Sequence, residues 1–145
     1  MAKNNPFRPR VAVCLAAYNG MSWIEAQVDS ILTQENVDIR IIVAVDHSAD
    51  GTEEWLRAFA ARDPRVILLP TGPASGGAVQ NFFRLLREGD FTGCDYIALS
   101  AQSNIWLPSK LTWAVERLNE ANAQAYSSDV LAFWPNGRRK LICKT

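Results

Sequence analysis

The chain has 145 residues, 48% hydrophobic and 21% charged, which is enough for one domain with a buried core and excludes a disordered polymer. Fifteen basic residues balance fifteen acidic ones, so the formal net charge of +0 gives no field favouring nucleic acid or an anionic membrane. Cys14, Cys94 and Cys143 are odd in number and lack C-x-x-C spacing, which argues against a disulfide framework and predicts small buried hydrophobes.

Residues 1–10 carry Lys3, Arg8 and Arg10 but are broken by Pro6 and Pro9. The apolar run that follows is too short for a signal peptide or a membrane helix, so a cytoplasmic protein is expected. Residues 11–17 form a continuous apolar run of strand length, and Asn19-Gly20 breaks it. A helical pattern then spans 22–34, with Ile24, Val28, Ile31 and Leu32 at helical spacing and Ser22 with Glu25 as a capping box. Residues 39–45 repeat the strand signal, and a helix over 53–61 follows with Thr52 as its N-cap and Glu53 and Glu54 in its first turn.

Asp63-Pro64 ends that helix, 66–69 make a third strand, and 70–77 form a loop rich in Gly and Pro. The helix predicted over 78–88 places Phe82, Leu85 and Leu86 on one face. A fourth strand covers 96–99, and Pro108 opens a helix that runs to about Asn122. Residues 130–134 and 139–144 flank Pro135-Asn136-Gly137 as a hairpin. Strands alternating with helices predict an α/β fold, a mostly parallel Rossmann-like sheet with right-handed crossovers, and the hairpin supplies strands near the end. We expect residues 1–145 to be a single domain. Its first and fourth strands should be neighbours, after three successive crossovers running one way from the first strand. Tyr18 and Asn19 should then lie beside Gln102, Ser103 and Asn104.

Three loops after these strands concentrate the polar chemistry: Ala17-Tyr18-Asn19-Gly20, Asp46 to Thr52, and Ser100 to Trp106. In a parallel sheet such loops line the ligand crevice. Asp46 can accept a hydrogen bond from a ligand imino group, or take backbone N–H groups in an Asx turn with Ser48 and Gly51. Tyr18 offers a planar surface and Asn19 an amide beside it. His47, the only histidine, reads as a solvated loop residue, and no zinc cluster or Ser/His/Asp set is present. The 72–77 stretch matches neither a dinucleotide nor a P-loop fingerprint.

The four segments 11–20, 41–52, 76–84 and 96–108, in this order, resemble the family 2 glycosyltransferases of the GT-A fold, and rhamnosyltransferase-like members in particular. The resemblance implies a nucleotide-sugar-dependent hexosyl or rhamnosyl transfer in bacterial polysaccharide or glycolipid synthesis. It also implies that Ala17, Tyr18, Asn19, Asp46 and Gln80 meet the pyrimidine nucleotide of the donor, with Asp46 taking the N3 proton. In such proteins the loop matching Ala101, Gln102, Ser103 and Asn104 carries an Asp-x-Asp motif that binds Mg²⁺ or Mn²⁺ against the diphosphate, because a hard cation wants oxygen ligands.

This chain departs where charge would be used. Members of this look usually have Thr at 17, Asp at 45, Asp at 101, 103 and 104, and Lys at 80; here stand Ala17, Val45, Ala101, Ser103, Asn104 and Gln80. The resemblance further implies a second half with an acidic acceptor base, a role that transfers to no residue here, so the domain reads as truncated and catalytic residues are not assigned. The expectations are therefore no metal cofactor, weak binding of a pyrimidine nucleotide or nucleotide-sugar, and self-association through the C-terminal strands. Against the enzyme stands a non-catalytic pseudo-enzyme or an engineered or truncated scaffold.

Overall fold

The first strand of the computed structural model, which describes residues 8–72 and 74–143, is β1 (Arg10–Ala17), and its position explains its composition. It pairs in parallel with β2 (Asp38–Val45) on one side and β4 (Tyr96–Ala101) on the other, and all of its residues from Val11 on are buried. A strand covered on both faces has no reason to alternate polar and apolar residues. β2 in turn pairs with β3 (Val66–Leu68), which gives the order β3-β2-β1-β4.

Two crossovers, not three, run outward from β1 before the chain returns to β1's free side as β4. The first and fourth strands are neighbours as expected, and β1 marks the switch point. The helices are α1 (Ile24–Leu32), α2 (Thr52–Arg62), α3 (Ala78–Glu88) and α4 (Lys110–Ala121). On one face of the sheet Val11, Val13 and Leu15 pack with Ile24, Val28 and Ile31 of α1, Leu56 of α2, and Trp106 and Leu111. On the other face Ala12, Cys14, Ala16 and Ala44 are small, and Leu85 of α3 seats directly on them beside Ile42. Burying a leucine side chain contributes about 1.5–3 kcal/mol. Phe82 is half-buried against this cluster, but Leu86 remains 43% exposed, so the predicted apolar face of α3 is narrower than its spacing implied.

Several local expectations need correction. Ser22 and Glu25 form no capping box: α1 begins at Ile24, after Trp23, without a side-chain cap. Side chains from the loop before α2 reach the preceding backbone instead. Thr52 Oγ1 accepts from Gly20 N at 2.8 Å, and Asp50 Oδ2 accepts from Met21 N at 3.0 Å. Thr52 is accordingly the first residue of α2, and Gly51, at φ 90°, is its N-cap. Pro108 precedes α4 by two residues and uses its carbonyl to accept from Glu35 N at 2.9 Å.

β5 (Val130–Phe133) and β6 (Arg139–Ile142) form the predicted antiparallel hairpin, as a sheet of their own. The three cysteines are free thiols with different surroundings: Cys14 is buried, Cys94 half-buried and Cys143 exposed, so the buried reading fails at Cys143. Burial pushes the Cys14 thiol up to about 11, with Cys94 nearby adding to the shift, which leaves it unreactive at neutral pH. Residues 1–7, Pro73, Lys144 and Thr145 lie outside the described residues, so the leader reading of the N-terminus falls largely on residues not described. Among the described residues no helix is long and apolar enough to cross a membrane.

Candidate functional site

The carboxyl ends of β1, β2 and β4 converge at the switch point, where the open-sheet rule locates a ligand crevice. A cleft of about 580 Å³ lies there. Ala16, Ala17 and Tyr18 line it from β1, Asp46 and His47 from β2, Ala101, Gln102 and Ser103 from β4, and Gly76, Gly77, Asn81 and Phe82 from α3 and its approach.

The β1–β4 ladder ends at the pair Ala16–Ala101, and a side chain extends it by one step. Gln102 Oε1 accepts from Tyr18 N at 2.6 Å, and Gln102 Nε2 donates to Tyr18 O at 2.5 Å. A carboxamide presents a donor and an acceptor side by side, as a peptide group does, so it pairs with both backbone groups of Tyr18. The approach is close enough that a Cβ at Gly20 would run into the Gln102 amide. Tyr18 is left 56% exposed, with its ring at the cleft.

Asn19 has a different task. At φ 43° it turns the loop away from β1, its Oδ1 accepts from Ala49 N at 2.8 Å, and its own N–H donates to Ser48 Oγ at 3.0 Å. The first two loops are thereby tied together, and Asn19 does not line the cleft.

Asp46 makes no Asx turn with Ser48 and Gly51. Its Oδ1 accepts from His47 N at 2.9 Å and from Ser75 N at 3.1 Å, while its Oδ2 accepts from Ser75 Oγ at 2.8 Å. The Ser75 hydroxyl is the main reason that its carboxyl is held below the ordinary aspartate range, with the two backbone donors adding to it against some desolvation. A carboxylate offers about four acceptor sites, and three are used, so room remains for one more donor from the cleft. The Asx-type turn belongs to Asp50, whose Oδ1 accepts from Thr52 N at 3.1 Å.

The third loop keeps its shape through buried polar groups of α1 and the turn after it. Gln27 Nε2 donates to Ser100 Oγ at 2.6 Å, and Ser30 Oγ accepts from Trp106 N at 3.1 Å. Gln34 Nε2 donates to Leu107 O at 2.7 Å, and Gln34 Oε1 accepts from Leu111 N at 3.0 Å. Polar residues at positions 27 and 30 of α1 and at 34, just past its end, thus do the anchoring.

The donor set does not fit a divalent ion. Ala101 has no oxygen in its side chain, Ser103 and Asn104 offer neutral oxygens only, and the Gln102 amide is engaged by Tyr18. Among the described residues no group of three or more His, Cys, Asp or Glu could hold a metal. Hard cations of this kind are held by anionic oxygen ligands, and this loop supplies none.

Of the residues singled out from the sequence, Ala17, Tyr18, Asp46, Ala101, Gln102 and Ser103 border the cleft, while Asn19, Gln80 and Asn104 do not. Asn81 stands where Gln80 was expected: it is 2% exposed and its Nδ2 donates to Ala44 O at 2.9 Å. His47 is exposed, as expected, and also borders the cleft. Ser75, the partner of Asp46, had no signal in a Gly- and Pro-rich loop. The helical spacing of 27, 30 and 34 was readable but was hidden by the apolar residues between them.

A family model described as Glycosyltransferase like family 2 matches residues 9–139. The chain is 41% identical over 131 residues to the dTDP-rhamnosyl transferase RfbG of Shigella flexneri, covering 90% of this chain and 45% of that protein. It is 32% identical over 116 residues to the succinoglycan biosynthesis protein ExoO of Rhizobium meliloti (strain 1021), covering 80% and 32%. The chain therefore spans less than half the length of these curated relatives. Among solved structures, the mannosyltransferase PcManGT from Pyrobaculum calidifontis, in complex with GDP-Man and Mn²⁺, superposes with a TM-score of 0.64 at 25% identity, over 77% of this chain and 33% of that one. S. aureus TarS shares the fold with a TM-score of 0.65 at 14% identity, over 86% and 21%.

Proposed function

Because the chain belongs to glycosyltransferase family 2, we propose that its cleft is the donor-nucleotide site of a rhamnosyltransferase-like domain that has kept nucleotide recognition and lost sugar transfer. A pyrimidine base lies against the exposed ring of Tyr18, and its N3–H donates to the remaining acceptor site of Asp46. The observation that carries the loss of transfer is the third loop. It is held in the position of a metal and diphosphate loop by Gln27, Ser30, Gln34 and Gln102, yet none of Ala101, Gln102, Ser103 and Asn104 bears a charge. This donor set supports a binding domain over an enzyme. The 41% identity to a dTDP-rhamnosyl transferase is what favours the second reading, an active donor half.

With a single charge-assisted hydrogen bond of about 1.5–3 kcal/mol as its main polar contact, the site holds pyrimidine nucleotides with a dissociation constant on the order of millimolar. Three free thiols support a reducing, cytoplasmic setting. The outward face of the hairpin, with Leu131, Phe133 and Leu141 each more than half exposed, supports self-association through β5 and β6. The test of the site is a calorimetric titration with dTDP and UDP of the unmodified chain and of Asp46→Asn. Millimolar binding that disappears in Asp46→Asn is expected, and equal affinity in the two proteins would overturn the assignment.

A further inference from the structure

We infer that the cleft selects against charge, taking an uncharged pyrimidine nucleoside at least as tightly as the corresponding nucleoside diphosphate; this rests on the reading of the cleft as a pyrimidine nucleotide site. Among the described residues, none that lines the cleft is a lysine or an arginine. Its fixed charge is the carboxylate of Asp46, held there by Ser75, and a carboxylate repels phosphate oxygens as readily as it accepts an imino proton.

The amide side chains that could solvate a phosphate are engaged or displaced. Both polar atoms of the Gln102 amide are spent on the Tyr18 backbone, Asn81 Nδ2 is spent on the Ala44 carbonyl, and Gln80 lies outside the cleft. The third loop brings no anionic ligand through which a cation could bridge to a diphosphate. One feature favours phosphate: the amino end of α3, with Gly77 as its cap and no acidic residue in its first turn, opens on the cleft. A helix end is equivalent to about half a positive charge, which does not offset the several negative charges of a diphosphate facing Asp46. The base subsite therefore keeps Tyr18 and Asp46 while a diphosphate meets only the α3 amino end and the Ser103 hydroxyl, and binding energy comes mainly from stacking and the Asp46 hydrogen bond.

The experiment compares uridine with UDP, and thymidine with dTDP, on the full chain by calorimetry or ligand-observed NMR. The expected result is a nucleoside affinity equal to or tighter than that of the diphosphate. Added MnCl₂ should change the UDP affinity less than about two-fold, and raising NaCl should leave it unchanged or tighten it, because salt screens repulsion. A diphosphate that binds ten-fold or more tightly than its nucleoside, or whose affinity falls steeply with salt, would overturn the inference while leaving the nucleotide site in place. Absence of binding by all four compounds at concentrations of about 10 mM would overturn both.

Discussion

Asp46 shows how one residue type can be read in two ways and settled by a partner far away in sequence. Local sequence offered it Ser48 and Gly51, and the fold gave it Ser75 instead. No local pattern announces that pairing, because it depends on where the loop over 70–77 lands after two crossovers. The Ser75 hydrogen bonds hold the carboxyl below its unfolded value, so they add stability at pH above the ordinary aspartate value of about 3.9, and that stability is lost as pH falls through the depressed native value. The Ser75 amide resonance, followed by NMR as pH is lowered, should therefore titrate with a midpoint below that of an ordinary aspartate. A midpoint at or above about 4 would show that the pair does not hold the loop.

Gln102 is the counterpart that sequence placed beside Tyr18 without showing how the two meet. It belongs to the loop that resembles a degenerate diphosphate loop, and its carboxamide pairs with both backbone groups of Tyr18. Gln102→Ala removes both the acceptor of the Tyr18 amide and the donor to the Tyr18 carbonyl. The Tyr18 amide should exchange with solvent faster in that variant, and unchanged protection would remove the clamp.

Among the elements, the strands were the most legible, because residues 11–17 of β1 and 41–45 of β2 are continuous apolar runs of strand length. Helix starts were less so. The Ser22 and Glu25 pattern is a capping signature, but α1 starts at Ile24, and Asp50 with Thr52, the first residue of α2, satisfies the backbone at Gly20 and Met21. Ser22→Ala should accordingly change stability by less than about 0.5 kcal/mol. Gln34→Ala, which strands the Leu111 amide and leaves the Leu107 carbonyl with the Lys110 N–H alone, should cost about 1–3 kcal/mol. Urea denaturation of both variants measures the difference, and a costly Ser22→Ala beside a neutral Gln34→Ala would reverse the account of how α1 and the third loop are held. Leu85→Ala opens a cavity over Ala12, Cys14 and Ala44 and should cost about 2–5 kcal/mol in the same measurement.

For the molecule as a whole, fold and cleft follow from one order of strands, β3-β2-β1-β4; the alternation of β1 to β4 with α1 to α4 made the parallel sheet and the β1–β4 pairing readable, but not the number of crossovers before the chain returns. The contents of the cleft were only partly readable: Tyr18, Asp46 and Gln102 could be picked out after strand ends, whereas Ser75 and Asn81 come from a loop and a helix that reach the cleft only in three dimensions. The exposed apolar face of the hairpin is expected to drive concentration-dependent dimerisation seen by light scattering, weakened by Leu131→Lys; a monomer at all concentrations would remove that surface from the account. The central claim is that the fold of a glycosyltransferase donor site is kept while its metal-binding charge is gone. Titration of Mn²⁺ alone, followed by electron paramagnetic resonance, tests it in the unmodified chain and in a variant carrying Ala101→Asp with Ser103→Asp. The account predicts no Mn²⁺ binding by the unmodified chain at concentrations of about 1 mM and clear binding by the variant; tight Mn²⁺ binding by the unmodified chain would contradict it.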